Sequence, residues 1–192
     1  MVYISNFFGV KAIIFPRAGN LINQVNEYFF FQYLIKILFK RATLFLAQGE
    51  KWGSLAQDNL EFPKESIKII HNWSATKKLL KIGSSREYDN NDITKFLFVG
   101  WLEKEKGVYE LLDSIKLLSD KNLPFLITII GNGNAMYDAQ RFVNENHLTK
   151  KVIIEGWIPN DNIHDYYNSA DVFVLPSWQE GMPNSLIEAL SC

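Results

Sequence analysis

From residue 96 to the end of the chain one pattern recurs: a short apolar run, a glycine or proline that stops it, and a stretch with apolar residues at helical spacing. The run 96–99 stops at Gly100 and is followed by Val108, Leu111, Leu112, Ile115 and Leu118, one face of a helix. The run 124–130 stops at Gly131-Asn132-Gly133, before a helical stretch over 136–146. Residues 152–155 stop at Gly156 ahead of a short helix over 162–169, and 172–175 stop at Pro176-Ser177 ahead of a last helix. Strands that are apolar throughout and alternate with helices predict an α/β fold, a parallel sheet covered on both faces. Ligands of such sheets bind beyond the carboxyl ends of the strands.

The last thirteen residues, E-G-M-P-N-S-L-I-E-A-L-S-C, begin at Glu180 in the loop after the fourth run. A helix start presents unpaired N–H groups and the positive end of a dipole, which suits a diphosphate. Asn184 or Ser185 is expected to cap this helix, and Glu188 to lie two turns into it. A carboxylate there can accept hydrogen bonds from both hydroxyls of a ribose, while Glu180 would face a sugar or its acceptor. The plain alternative keeps Glu188 as a solvated helix residue and Glu180 as a loop charge.

Five motifs then stand in order: V-G-x-L-x-x-x-K-G from Val99, I-I-G-x-G from Ile129, G-W-I-P from Gly156, A-D-V-F-V-L-P-S from Ala170, and E-G-x(6)-E-A-L from Glu180. In this order they resemble the nucleotide-binding domain of the retaining glycosyltransferases of family 4, which have the GT-B fold of two Rossmann-like domains. Residues 42–48 and 66–73 resemble, less closely, the last strands of that family's first domain and the crossing to the second. The resemblance implies three segments: the end of an acceptor-side domain over 1–75, a linker over 76–94, and an incomplete nucleotide-sugar-binding domain over 95–192. Members of the family are two-domain proteins of roughly twice this length, so a fragment truncated at both ends is expected.

The same resemblance implies residue roles. Lys106 matches the family lysine that grips the donor diphosphate, where cationic stabilisation of the leaving group is needed. The arginine that usually accompanies it falls at Trp101, which puts the second phosphate contact in doubt; Lys104 is the substitute within reach, unless the Glu103–Lys106 run is plain solvated loop. Lys106 and Glu180 are the expected catalytic residues, with Glu180 near the donor sugar's hydroxyls and Glu188 on the ribose. Backbone groups of Gly181, Met182, Pro183, Asn184 and Ser185 are expected against phosphate or sugar. Gly100, Gly131 and Gly133 let the chain pass close to the nucleotide, and Trp157 and Ile158, with Pro159, line the base. A dinucleotide fingerprint is disfavoured, because Met136 stands where G-x-G-x-x-G needs its third glycine. Asp171 is expected to end a turn, and Trp178 to be either pocket wall or packing.

No protein nucleophile is expected, since in the family the diphosphate's own oxygen helps deprotonate the acceptor hydroxyl on the same face. No D-x-D pair occurs, and His71, His147 and His164 lack ligand spacing, so no metal and no cofactor are expected beyond the nucleotide-diphosphate sugar. One cysteine, Cys192, excludes an internal disulfide. A net charge of −1 gives no reason to expect nucleic acid, and no apolar run nears the ~20 residues of a spanning helix. The segment 26–41 reads as one helix, apolar nearly all round with Lys36, Lys40 and Arg41 near its end; it suits a domain core or, less well, a membrane surface. The expected partners are a nucleotide sugar and a saccharide or undecaprenyl-linked acceptor, in the cytoplasm or at the inner face of the plasma membrane. The leading expectation is a sugar transferase of bacterial surface polysaccharide synthesis; a non-catalytic nucleotide-sugar-binding remnant and a UDP-sugar epimerase of the same fold stay open.

Overall fold

The structure is a computed structural model that describes residues 2–17, 20–72, 74–86 and 92–192. It divides into two compact units: Met1–Asn72 with Gln179–Pro183, and Trp73–Trp178 with Asn184–Cys192.

The first unit carries α1 (Val2–Phe7), β1 (Ile13–Ile14), α2 (Asn20–Glu27), α3 (Phe29–Phe39), β2 (Leu44–Ala47), α4 (Glu50–Ser54) and β3 (Ile67–Ile69). Its three strands are parallel in the order β1-β2-β3, and Phe45 and Ala47 of the central strand are fully buried. Trp52, Leu55, Ala56, Leu60 and Phe62 complete the core beneath them. The single helix expected over 26–41 is instead two: Tyr28 takes an extended conformation (φ −118°, ψ 103°) and separates α2 from α3. Of α3, Ile35 is buried and Phe31 and Phe39 pack on the core, whereas Phe29, Phe30 and Tyr33 are exposed.

The second unit carries α5 (Lys77–Ser85), β4 (Thr94–Val99), α6 (Val108–Asp120), β5 (Phe125–Ile130), α7 (Met136–Glu145), β6 (Val152–Gly156), α8 (Asn160–Ser169), β7 (Val172–Phe173) and α9 (Asn184–Leu190). The sheet is wholly parallel, in the order β6-β5-β4-β7. Crossovers from β4 to β5 to β6 run one way and the chain then returns to the other side of β4, so the strand order reverses between β4 and β7. One face buries Phe98, Ile127 and Ile129 against Val108, Leu112 and Ile115 of α6 and Ala139 and Val143 of α7. The other buries Leu97 and Ile130 against Leu79 of α5 and Ile163 and Tyr167 of α8. Burying each of the Val, Leu, Ile and Phe side chains among these fully is worth about 1.5–3 kcal/mol, which is why this two-faced apolar pattern specifies the sheet.

Several boundaries differ from the sequence expectation. The ladder of β7 ends at Phe173, although Val174 N–H still donates to Leu97 O (2.9 Å). Residues 76–94 include α5, whose first turn is capped by Thr76 Oγ1 accepting from Leu79 N–H (3.2 Å); residues 87–91, like Trp73, lie outside the described residues. Helix α9 begins at Asn184, so neither Asn184 nor Ser185 precedes it as a cap, and Glu188 sits about one turn in rather than two.

Candidate functional site

The reversal between β4 and β7 is the place where a doubly wound sheet opens a crevice, and the loops leaving those two strands meet there. After β4 the chain runs through Trp101 and a single 3-10 turn, Lys104–Lys106, to Gly107, which opens α6 with φ +69°. After β7 it runs through Pro176 to Trp178. A Cβ on Gly107 would lie 2.1 Å from the Pro176 carbonyl oxygen, so only glycine fits this crossing. Trp178 ties its loop to the β4 loop and to α6: its N–H donates to Glu105 O (3.0 Å), its indole N–H donates to Glu110 Oε1 of α6 (2.9 Å), and the Lys104 ammonium lies 5.3 Å from its ring centroid. Trp178 thus braces the turn that carries half-buried Lys106, and Lys104 is engaged on the indole.

The loops after β4, β5 and β6 interlock beside this crossing. Gly100 N–H donates to Ile130 O (3.0 Å), Leu102 N–H to Asn132 O (2.9 Å) and Gly131 N–H to Gly156 O (2.8 Å). Gly131 (φ +143°) and Gly133 (φ +156°) are forced by crowding: a Cβ on either would sit 1.8 Å from Gly100 O or 2.4 Å from Leu102 O. Above these turns is a cleft of about 190 Å³ lined by Gly100, Trp101, Gly131, Asn132, Trp157 and Ile158, among others. Trp101 and Trp157 are 62% and 69% exposed, so two indoles stand open at one small apolar cleft. Trp101, noted in the sequence only as a departure from arginine, is a wall of this cleft.

Glu188 lies on α9, whose Ala189 packs with Cys192 on the apolar cluster that also holds Val99 and Ile158 of the cleft. The cluster contains Tyr167, 3% exposed, and its hydroxyl donates to Glu188 Oε2 (2.9 Å). Burial first, then the Glu188 charge, push the Tyr167 phenol far above its ordinary value. Ser74 Oγ donates to Asn184 O (2.8 Å) at the start of α9. Asp171 receives Lys95 N–H on Oδ2 (2.7 Å) and donates its own N–H to Lys95 O (2.7 Å), a strand-opening role as expected.

Glu180, Gly181, Met182 and Pro183 belong to the first unit. There Asn72 holds the segment: its side-chain amide donates to Met182 O (2.7 Å) and its backbone N–H to Met182 Sδ (3.2 Å). Gln48, buried after β2, in turn donates to Asn72 Oδ1 (2.5 Å). The sequence reading placed Gln48 and Asn72 at the ends of two strand segments without giving either a role, and gave none to Tyr167; a polar residue past the end of each of two neighbouring parallel strands was the available signal for the pair. No group of three His, Cys, Asp or Glu residues could hold a metal ion among the described residues.

The family model of the glycosyl transferases group 1 matches residues 84–192. The "Putative teichuronic acid biosynthesis glycosyltransferase TuaC" of Bacillus subtilis is 41% identical over 96 residues, 50% of this chain and 22% of that protein. The "Uncharacterized glycosyltransferase MJ1059" of Methanocaldococcus jannaschii is 27% identical over 98% of this chain and 47% of its own. Anabaena Alr3699/HepE, solved in complex with UDP and glucose, aligns over 100% of this chain and 53% of its own, with a TM-score of 0.69 at 15% identity. The chain therefore spans about half or less of the proteins it matches. The solved neighbours are GT-B glycosyltransferases, and the architecture described above is theirs.

Proposed function

The chain belongs to the glycosyl transferases group 1 family, and on that premise we propose that it carries the donor site of an enzyme that moves a sugar with retention of configuration. The donor is a nucleotide-diphosphate sugar and the acceptor a saccharide or lipid-linked saccharide of bacterial surface polysaccharide synthesis. The observation that carries this reading is the β4–β7 crossing, where Gly107 and Trp178 brace the turn that holds Lys106, together with the tryptophan-lined cleft over the loops after β4, β5 and β6. The cleft takes the base, between indoles that suit a flat aromatic ring. Glu188 accepts from the ribose hydroxyls, and Lys106 neutralises charge that develops on the departing diphosphate. Glu180 keeps the role implied by the family motif, an acceptor for hydroxyls of the donor sugar. The UDP held by solved neighbours of this fold supports a uridine donor. The "UDP-Gal:alpha-D-GlcNAc-diphosphoundecaprenol alpha-1,3-galactosyltransferase" of Escherichia coli, 32% identical over 50% of this chain, supports a lipid-linked acceptor.

No helix is long and apolar enough to cross a membrane among the described residues. Peripheral contact with the inner membrane face belongs to the proposal, through exposed Phe29, Phe30 and Tyr33 of α3. A second reading, a nucleotide-sugar binder that does not transfer, is favoured by Trp101, since an indole cannot supply the charge of an arginine.

Calorimetric titration with UDP, GDP and ADP tests the site. One nucleotide should bind saturably, and Lys106→Ala and Glu188→Ala should each weaken it by ~1.5–3 kcal/mol, the range for hydrogen bonds to charged groups. Unchanged affinity in both variants sinks the assignment. Transfer of labelled sugar from the matching donor then separates the two readings.

A further inference from the structure

We propose that Tyr167 is a positioning residue of the ribose subsite: its buried hydroxyl holds Glu188 Oε2 and fixes the carboxylate in the rotamer that receives a nucleotide's ribose. The inference rests on the reading of Glu188 given above. Three observations lead to it. Tyr167 lies on α8, with its ring packed 6.0 Å from the Phe173 ring and 3% of its surface exposed, so the hydroxyl has a fixed origin. Glu188 is only partly buried and stands on a helix of seven residues, and its side chain is a long, rotamer-rich one that a single hydrogen bond can orient. The contact between them, 2.9 Å, joins a buried donor to a partly exposed acceptor.

The chemistry favours orientation over proton transfer. A buried phenol next to a carboxylate stays protonated, so it acts as a permanent donor to Glu188. A carboxylate oxygen has two acceptor sites and its partner oxygen two more. One bond from Tyr167 therefore leaves the group able to receive both ribose hydroxyls. Ordering a flexible side chain before the ligand arrives removes an entropic cost from binding. A merely structural pairing, in which Glu188 satisfies a buried hydroxyl, would stabilise the fold without affecting how the site treats a ribose.

Binding of UDP and of 2′,3′-dideoxy-UDP to wild type, Tyr167→Phe, Glu188→Ala and the double variant separates these cases. Tyr167→Phe keeps the ring and its packing, and a thermal melt confirms that it is folded. It should weaken UDP by about 2- to 12-fold, the effect of releasing one ordered side chain, and leave dideoxy-UDP unchanged. In the Glu188→Ala background the same substitution should have no further effect on UDP. Equal losses for both nucleotides, or no loss for UDP, overturn the role of Tyr167 while Glu188→Ala still weakens UDP. Absence of UDP binding by wild type, or full UDP affinity in Glu188→Ala, overturns the ribose subsite itself and Tyr167 with it.

Discussion

Gly107→Ala is the sharpest test of the β4–β7 crossing. The residue sits at φ +69°, where a side chain costs about 1–2 kcal/mol relative to glycine. The added Cβ would start 2.1 Å from the Pro176 oxygen, roughly 0.9 Å inside the 3.0 Å that real Cβ contacts respect. The two atoms closer than 3.0 Å are both backbone, so the overlap is relieved only by parting the loops. A movement of that size breaks the Trp178 N–H bond to Glu105 O, now 3.0 Å, at about 1 kcal/mol, and overpacking adds ~1–3 kcal/mol. The reduced freedom of alanine in the unfolded chain returns only ~0.4–1 kcal/mol. The expected loss is about 4 kcal/mol, or roughly 15–20 °C in the melting temperature of the second unit. Gly9 supplies the control, because it shares φ +69° but has nothing within 4 Å of its Cβ position. Gly9→Ala should therefore cost only about 1 kcal/mol, the conformational part alone. The assay is a pair of thermal melts followed by UDP titration at low temperature, where Gly107→Ala should also lose affinity through displacement of Lys106. Equal melting shifts in the two variants, or a Gly107→Ala shift under about 2 °C, would refute the crossing as the source of the effect.

Two further perturbations probe the same region. Trp178→Phe removes the indole bond to Glu110 but keeps a ring; because both partners are exposed, stability should fall by no more than about 1 kcal/mol. Amide exchange across residues 103–107 should accelerate, and unaltered exchange there would mean that the indole does not brace the Lys106 turn. The raised Tyr167 value sets a pH window: the phenol ionises near 10 in the unfolded chain and higher in the fold, so its contribution is complete below about pH 10 and declines as pH rises beyond that. The stability difference between wild type and Tyr167→Phe, measured by urea unfolding from pH 8 to 11, should shrink over that window; a difference constant to pH 11 would contradict it.

The second unit was legible because parallel strands buried on both faces are apolar without interruption, and because glycines end them where loops crowd. The residues expected at the strand ends, Gly100, Gly131, Trp157 and Ile158, do line one cleft. What periodicity does not encode is a hydrogen bond between elements far apart in the chain. Tyr167 reads as the apolar partner of Ile163 one turn earlier, and nothing local marks its hydroxyl as the partner of Glu188. The break at Tyr28 was also hidden, since no glycine or proline announces it and both flanks have helical composition. Glu180 to Pro183 read as a loop of the second domain by adjacency, whereas bonds from Asn72 hold them in the first unit.

That last contact has a consequence for synthesis. Asn72 and Met182 are 110 residues apart, so at ~5–20 residues per second the ribosome takes roughly 5–20 s to deliver the first unit's final segment after the rest of that unit has been made. The first unit must wait, with Gln48 and Asn72 lacking their late-arriving neighbour, while the whole β4-to-β7 sheet is translated. Expressing residues 1–72 alone would preserve that waiting state permanently, and a cut at the obvious boundary would divide a unit instead of separating two.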